Sequence, residues 1–148
     1  MSASPLPAPR PPLAAVSVPD GRGPLAAHKT LNYLPNILAL ARAEEAGCEE
    51  ALFSRDGLLL EGTVSNLVGA VGDRLVTPPL SGSVLGGVAR EVLLERGVVS
   101  EGPLPLETRG PLYCVNAVRG VEPVASLDGS ALRREPETEN SLRGVLEG

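Results

Sequence analysis

Histidine and lysine occur once each in the 148 residues, as the neighbours His28 and Lys29, and cysteine occurs twice, as Cys48 and Cys114. One histidine leaves almost no material for a histidine-based metal centre or a Ser-His nucleophile. Two cysteines are too few for a disulfide framework, and neither has a Cys or His at zinc-site spacing. Free, buried thiols in a cytoplasmic protein are the expectation. Cations are also scarce relative to anions, with a formal net charge of -5. No clustered basic face exists, which argues against a nucleic-acid partner. No apolar run is long enough to cross a bilayer, and the start is rich in proline rather than carrying an apolar signal core. The length suits one ordinary domain with a real core.

What is present starts with that lysine. The thirteen Lys and Arg residues comprise Lys29 and twelve arginines, so arginine serves wherever only a surface cation is needed. Lysine alone can lose a proton near neutral pH in the right site and attack a carbonyl as a free amine. Lys29 is therefore either a candidate nucleophile or the one lysine to escape a GC-rich coding bias. His28 beside it either tunes the amine or sits in a pocket wall.

Along the chain, residues 1–24 carry seven prolines, Pro5, Pro7, Pro9, Pro11, Pro12, Pro19 and Pro24, a composition that favours extended or irregular backbone. One short strand is expected at 14–18. Leu31, Leu34, Ile37, Leu38 and Ala41 recur at three- and four-residue intervals, which predicts a helix with that stripe on one face. Pro35 fits only the first turn, so the helix starts near 32–34, and Gly47 ends it. Residues 51–54 and 58–61 flank Asp56-Gly57, the signature of a type I′ hairpin. Residues 66–71 and 74–76, around Gly72-Asp73, repeat the device. Residues 77–87 read as loop, 88–95 as a helix stopped by Gly97, 111–115 as a strand, 116–120 as a compact loop, and 121–127 as a strand closed by Asp128-Gly129. The polar segment 133–148 holds a short helix from Ser141 onward. The predicted fold is α+β, a mixed, largely antiparallel barrel-like sheet with packed helices.

Four features then lie in order: a lysine before a helix, Glu61 at a strand end, Gly86-Gly87-Val88-Ala89 opening a helix, and the small-residue loop at Asn116-Ala117. A cofactor with an aldehyde, a basic ring nitrogen and a phosphate needs such partners, and pyridoxal 5'-phosphate (PLP) is that cofactor. Lys29 would bind the aldehyde and later move a proton, which requires its pKa to fall through burial or a cationic neighbour. Glu61 follows three leucines, where an unpaired buried carboxylate is expensive. It either bonds a ring nitrogen or is a strand-end carboxylate facing water. A glycine-rich helix start offers free N–H groups and a positive dipole end to a phosphate. The absence of Gly-Lys-Ser/Thr excludes a nucleotide P-loop. Asn116-Ala117 supplies further donors or is an ordinary turn.

These strings carry a resemblance. Lys29-Thr30-Leu31-Asn32-Tyr33-Leu34, Glu61-Gly62-Thr63-Val64-Ser65-Asn66, Thr77-Pro78, Gly87-Val88-Ala89-Arg90, and Asn116-Ala117 before Pro123-Val124 resemble the large domain of class IV (fold type IV) PLP enzymes over residues 25–129. That family includes branched-chain and D-amino-acid aminotransferases and aminodeoxychorismate lyase. Lys29 and Glu61 stand 32 residues apart (61 minus 29), a separation like the family's. The resemblance implies that Lys29 binds PLP covalently and is catalytic, Glu61 contacts the ring nitrogen, and Leu85 lies against the ring. It also implies that Val88 and Ala89 give amides to the phosphate and that Asn116 and Ala117 form a second phosphate loop. Tyr33 either reaches the cofactor or joins the core. The resemblance divides the chain into a lead-in (1–24), a PLP-binding domain (25–132) and a C-terminal tail (133–148).

Ala89 and the Asn116-Ala117 pair look more like the lyase than like the aminotransferases. The expected activity is thus conversion of 4-amino-4-deoxychorismate to 4-aminobenzoate and pyruvate. The alternatives are an amino-acid aminotransferase and a shortened, non-catalytic paralogue. Expected partners are a small-molecule amine substrate, a second copy in a homodimer, and a separate chain supplying the small domain that family members carry before the lysine segment.

Overall fold

The computed structural model describes residues 10–22, 34–80 and 84–148. Lys29, His28 and Tyr33 lie outside the described residues. The elements run β1 (Leu13–Pro19), α1 (Leu34–Glu45), β2 (Glu50–Arg55), β3 (Leu58–Gly62), β4 (Asn66–Val71), β5 (Arg74–Thr77), α2 (Val88–Glu95), β6 (Ser100–Glu101), β7 (Leu112–Asn116), β8 (Gly120–Leu127), β9 (Ser130–Ala131) and α3 (Pro136–Glu147). The strand order is β3-β2-β1-β8-β7-β4, and pairing of β4 back to β3 closes these six into a barrel, with β5 and β6 continuing from β4 and β9 from β8. β1 pairs in parallel with both β2 and β8, β5 with β6, and the remaining pairs are antiparallel.

Local chemistry sets the turns. Asp56 and Gly57 both take positive φ, 53° and 77°, as a type I′ turn requires. At the second hairpin Gly72 alone does so (64°), which is the type II′ arrangement with glycine first. The proline-rich lead-in contributes β1 to the barrel wall between β2 and β8. Among the described residues, Pro11 and Pro12 precede the strand and Pro19 is its last residue, positions where proline is tolerated.

Apolar residues fill both faces of the strands because helices cover the outside. Leu13, Ala15, Leu52, Leu59, Leu67, Leu104, Leu112, Val124 and Leu127 pack inside with Cys114. Val68, Tyr113, Val115 and Val121 face outward against Ala89 and Leu93 of α2 and Leu142 of α3. Val18, Ala51 and Phe53 meet Ala39 and Ala43 of α1.

Two expectations need correction. The helix α1 buries Ala39 and Ala43, while the predicted stripe is exposed: Leu34 58%, Ile37 61% and Leu38 57%. Asn36, Ala39, Leu40 and Ala43 share the same helical spacing, and the alanines let the helix axis approach the barrel closely. The last helix begins at Pro136, five residues before Ser141. Proline suits its first turn, Glu137 and Glu139 suit its positive end, and Glu139 is buried while taking bonds from Arg134 (2.8 Å) and Arg143 (2.7 Å).

Candidate functional site

The register places a straight row of residues across the outer face of five strands. Phe53 pairs with Glu61, Glu61 with Asn66, Asn66 with Val115, and Val115 with Val121. Directly opposed residues share a face about 5 Å apart, so the row runs between the α1 layer and the α2–α3 layer. Strict alternation along Leu58–Gly62 would send Glu61 into the barrel with Leu59. A shift of register between Phe53 and Ser54 instead leaves Leu60 and Glu61 both on the outer side, the re-aiming that a β-bulge performs.

Glu61 is 6% exposed. Its Oε1 accepts the Leu85 N–H at 2.9 Å, and its Oε2 accepts a hydrogen bond from the Arg22 guanidinium. Burial raises the Glu61 pKa above the usual carboxylate range, and Arg22 and the Leu85 amide oppose that rise. Arg22 lies 4.0 Å above the Phe53 ring and also donates to Asp20 at 2.8 Å. Burial alone would lower its pKa, but the Asp20 and Glu61 carboxylates hold it above its ordinary value. The carboxylate is thus fixed and charge-balanced on one side, the arrangement that makes a buried acid tolerable.

Beside it, Asn66 clamps the next segment. Its Nδ2 donates to the Leu85 carbonyl at 2.6 Å and its Oδ1 accepts the Gly87 N–H at 3.2 Å. Glycine is required at 87 because a Cβ there would stand 2.5 Å from Asn66 Oδ1. Leu85 is thereby held next to Glu61 and remains 37% exposed. Gly87 is the N-cap of α2 and makes no side-chain cap bond, and among the described residues the amides of Val88 and Ala89 have no acceptor. Unsatisfied N–H groups at the positive end of a helix suit an anion.

Val88 and Ala89 line a cleft of about 910 Å³ together with Asn116, Ala117, Val121 and Pro123. Asn116 follows Val115 at the end of β7, and its Oδ1 accepts the amides of Val118 (2.9 Å) and Arg119 (2.7 Å). The Asn116 side chain therefore shapes its own turn. The structure brings together Glu61 with Leu85, and Val88 and Ala89 with Asn116 and Ala117. Sequence reasoning assigned no role to Arg22, Asn66 or Arg90. Asn66 lay inside a matched string, whereas nothing local marks Arg22 as the partner of a residue 39 positions later.

The residues present fit PLP at two of its three attachment points: a buried, fixed carboxylate for the ring nitrogen and unsatisfied amides at a helix start for the phosphate. The third, Lys29, lies outside the described residues. The thiols are not part of the site. Cys114 is buried and Cys48 partly so, and both are free.

Comparison with known proteins gives a consistent picture. Residues 1–127 match the protein-family model described as Amino-transferase class IV. The chain is 34% identical over 116 residues, 72% of its length and 40% of the relative's, to a protein provisionally named branched-chain-amino-acid aminotransferase in Methanocaldococcus jannaschii. It is 29% identical over 130 residues, 81% of its length and 45% of the relative's, to D-alanine aminotransferase of Bacillus licheniformis. Among solved structures, a protein provisionally named 4-amino-4-deoxychorismate lyase from Legionella pneumophila superposes with a TM-score of 0.80 at 25% identity, covering 93% of this chain and 56% of that one. The chain spans about half the length of the relatives it matches. Among the described residues no helix is long and apolar enough to cross a membrane.

Proposed function

The chain belongs to the class IV aminotransferase family, and from that premise we propose that it is the PLP-binding part of a lyase acting on 4-amino-4-deoxychorismate, releasing 4-aminobenzoate and pyruvate. The observation that carries the cofactor reading is the convergence of Val88-Ala89 and Asn116-Ala117 on one cleft, with Gly87 at the start of the same helix bonded to Asn66, the ladder partner of Glu61. Bound PLP supplies an electron sink for the substrate's amine-bearing carbon. Glu61, fixed by Arg22 and Leu85, holds a proton on the ring nitrogen. Its raised pKa makes it the more basic acceptor for that proton. Leu85 packs against the ring and excludes water from one side. Val88, Ala89 and Ala117 bind the phosphate through backbone amides, and Asn116 orders the turn that presents Ala117. Lys29 takes the proton from the amine-bearing carbon of the substrate. Tyr33, four residues after Lys29 in the sequence, would reach the same cofactor.

The Asn116-Ala117 pair favours the lyase. The second reading, an amino-acid aminotransferase on the same cofactor, is favoured by the names of the relatives in Methanocaldococcus and Bacillus. Pyruvate release from 4-amino-4-deoxychorismate supports the first. Conversion of bound PLP to its amine form by glutamate, without pyruvate, supports the second. A non-catalytic chain does neither. The chain spans about half the length of these relatives, and a separate chain supplying the small domain is proposed to form the substrate-selecting wall. We further propose a cytoplasmic homodimer in which the exposed Leu34, Ile37 and Leu38 stripe is covered, consistent with the usual meaning of a contiguous apolar face.

The decisive experiment is borohydride reduction of the PLP-treated protein followed by peptide mass mapping. A pyridoxyl adduct on Lys29 is expected. A protein that stays colourless with added PLP and yields no adduct overturns the proposal.

A further inference from the structure

Arg90 is the most deeply buried cation among the described residues, 1% exposed, and its Nε has no hydrogen-bond partner. A buried donor left unsatisfied is costly and calls for a reason. The remaining guanidinium nitrogens supply one. Nη2 donates to the Pro78 carbonyl at 3.1 Å and to Glu101 at 2.5 Å, and Nη1 donates to Glu91 at 2.9 Å. Glu101 in turn accepts the Leu80 N–H at 3.4 Å. One planar group therefore ties the first turn of α2, the root of the 78–87 segment and the edge strand β6 together. The other end of that segment is held by Glu61 at Leu85 and by Asn66 at Leu85 and Gly87.

The segment is thus pinned at both ends, and the amides of Val88 and Ala89 sit where the two pins meet. We propose that Arg90 is a positioning residue for the phosphate cradle: its fork fixes the first turn of α2 against the Pro78 root, so that the Val88 and Ala89 amides are preset for a phosphate. The inference rests on the PLP reading above for the ligand, and on the geometry alone for the latch. Its charge is balanced by Glu91 and Glu101, so it acts through geometry rather than through long-range attraction. Lysine cannot substitute, because a single ammonium lacks the planar fork that reaches three acceptors in fixed directions.

The test compares wild type with Arg90→Lys and Glu101→Gln in the full 148-residue chain, titrated with pyridoxal phosphate and with pyridoxal, which lacks the phosphate. Binding is read from the change in ligand absorbance. Arg90→Lys is expected to weaken pyridoxal phosphate about tenfold or more, one 1.4 kcal/mol step, while pyridoxal affinity stays within about twofold. Glu101→Gln is expected to show the same selectivity more weakly, and it serves where Arg90→Lys does not fold. Equal weakening of both ligands, or an unchanged ratio, overturns the proposal. Amide hydrogen exchange provides a ligand-free arm: exchange at the hydrogen-bonded amides of Leu80, Leu85 and Gly87 accelerates in Arg90→Lys while β4 and β7 amides do not change. A wild-type chain that binds neither ligand overturns the PLP reading, and the exchange arm then decides the latch, unchanged exchange refuting it.

Discussion

Substituting Gly87 by alanine puts the clamp beside Glu61 under direct test. Gly87 has φ -70° and ψ 157°, a conformation alanine adopts freely, so backbone strain contributes nothing. Reducing the freedom of the unfolded chain would by itself stabilise by about 0.4–1 kcal/mol. Against that, the new Cβ meets Asn66 Oδ1 at 2.5 Å, and the contact atom belongs to a side chain that is 5% exposed and bonded on both ends. Moving Asn66 away breaks the bonds to Gly87 and Leu85, worth about 1 kcal/mol each, and strands a buried amide at a cost of a further 1–3 kcal/mol. The net expectation is a loss of roughly 2–4 kcal/mol, a fall in Tm of about 2–4 °C per kcal/mol at this size, together with weaker PLP binding. Gly144→Ala in α3 is the control, since nothing lies within 4 Å of its Cβ position. There alanine should stabilise by about 0.5–1 kcal/mol. Urea unfolding and PLP titration of both variants give the answer. If Gly87→Ala is as stable as wild type and binds PLP equally well, the clamp does not hold the site.

Burial, with Glu50 adding to it, pushes the Cys114 thiol to about 12, so at pH 8 a thiol reagent should label Cys48 alone in the folded chain and both cysteines after unfolding. Burial, with Glu139 and Glu135 adding to it, raises the Tyr113 hydroxyl from 10.0 to about 12. The neutral phenol is therefore favoured by the fold, and its contribution is complete below pH 10 and lost as pH rises toward 12. That loss is on the order of 1–3 kcal/mol, and Tyr113→Phe should remove it, measured as unfolding free energy from pH 9 to 12. Leu104, fully buried against Gly69 and Leu112, should cost about 2–5 kcal/mol when cut to alanine, read by urea denaturation, with PLP affinity unchanged because it lies inside the barrel.

Periodicity and turn chemistry were enough to locate most elements: α2 at Val88–Glu95, the Asp56-Gly57 hairpin and the β7–β8 pair all stand where spacing puts them. Those signals are local, a few residues deciding their own backbone. The stripe on α1 misled because two faces of that helix carry the same spacing, and only the distance to the barrel selects the alanine face. The start of α3 was missed because Glu139, a polar residue in a polar segment, is buried through Arg134 and Arg143 rather than through hydrophobicity.

The order of lysine, carboxylate, glycine-rich helix start and second loop belongs to the sequence, because each rests on residue type and short spacing. What only the tertiary structure decided is which of them meet. A one-residue bulge in β3 turned Glu61 to the outer face, the register aligned it with Asn66 and Val115, and closure of β3 onto β4 brought Arg22, Leu85 and the start of α2 to one place. The bulge and the β3–β4 pairing join neighbouring strands and the β4–β7 pairing distant ones, but in each case residue type does not show the register, and a slip of one residue would have sent the carboxylate into the barrel.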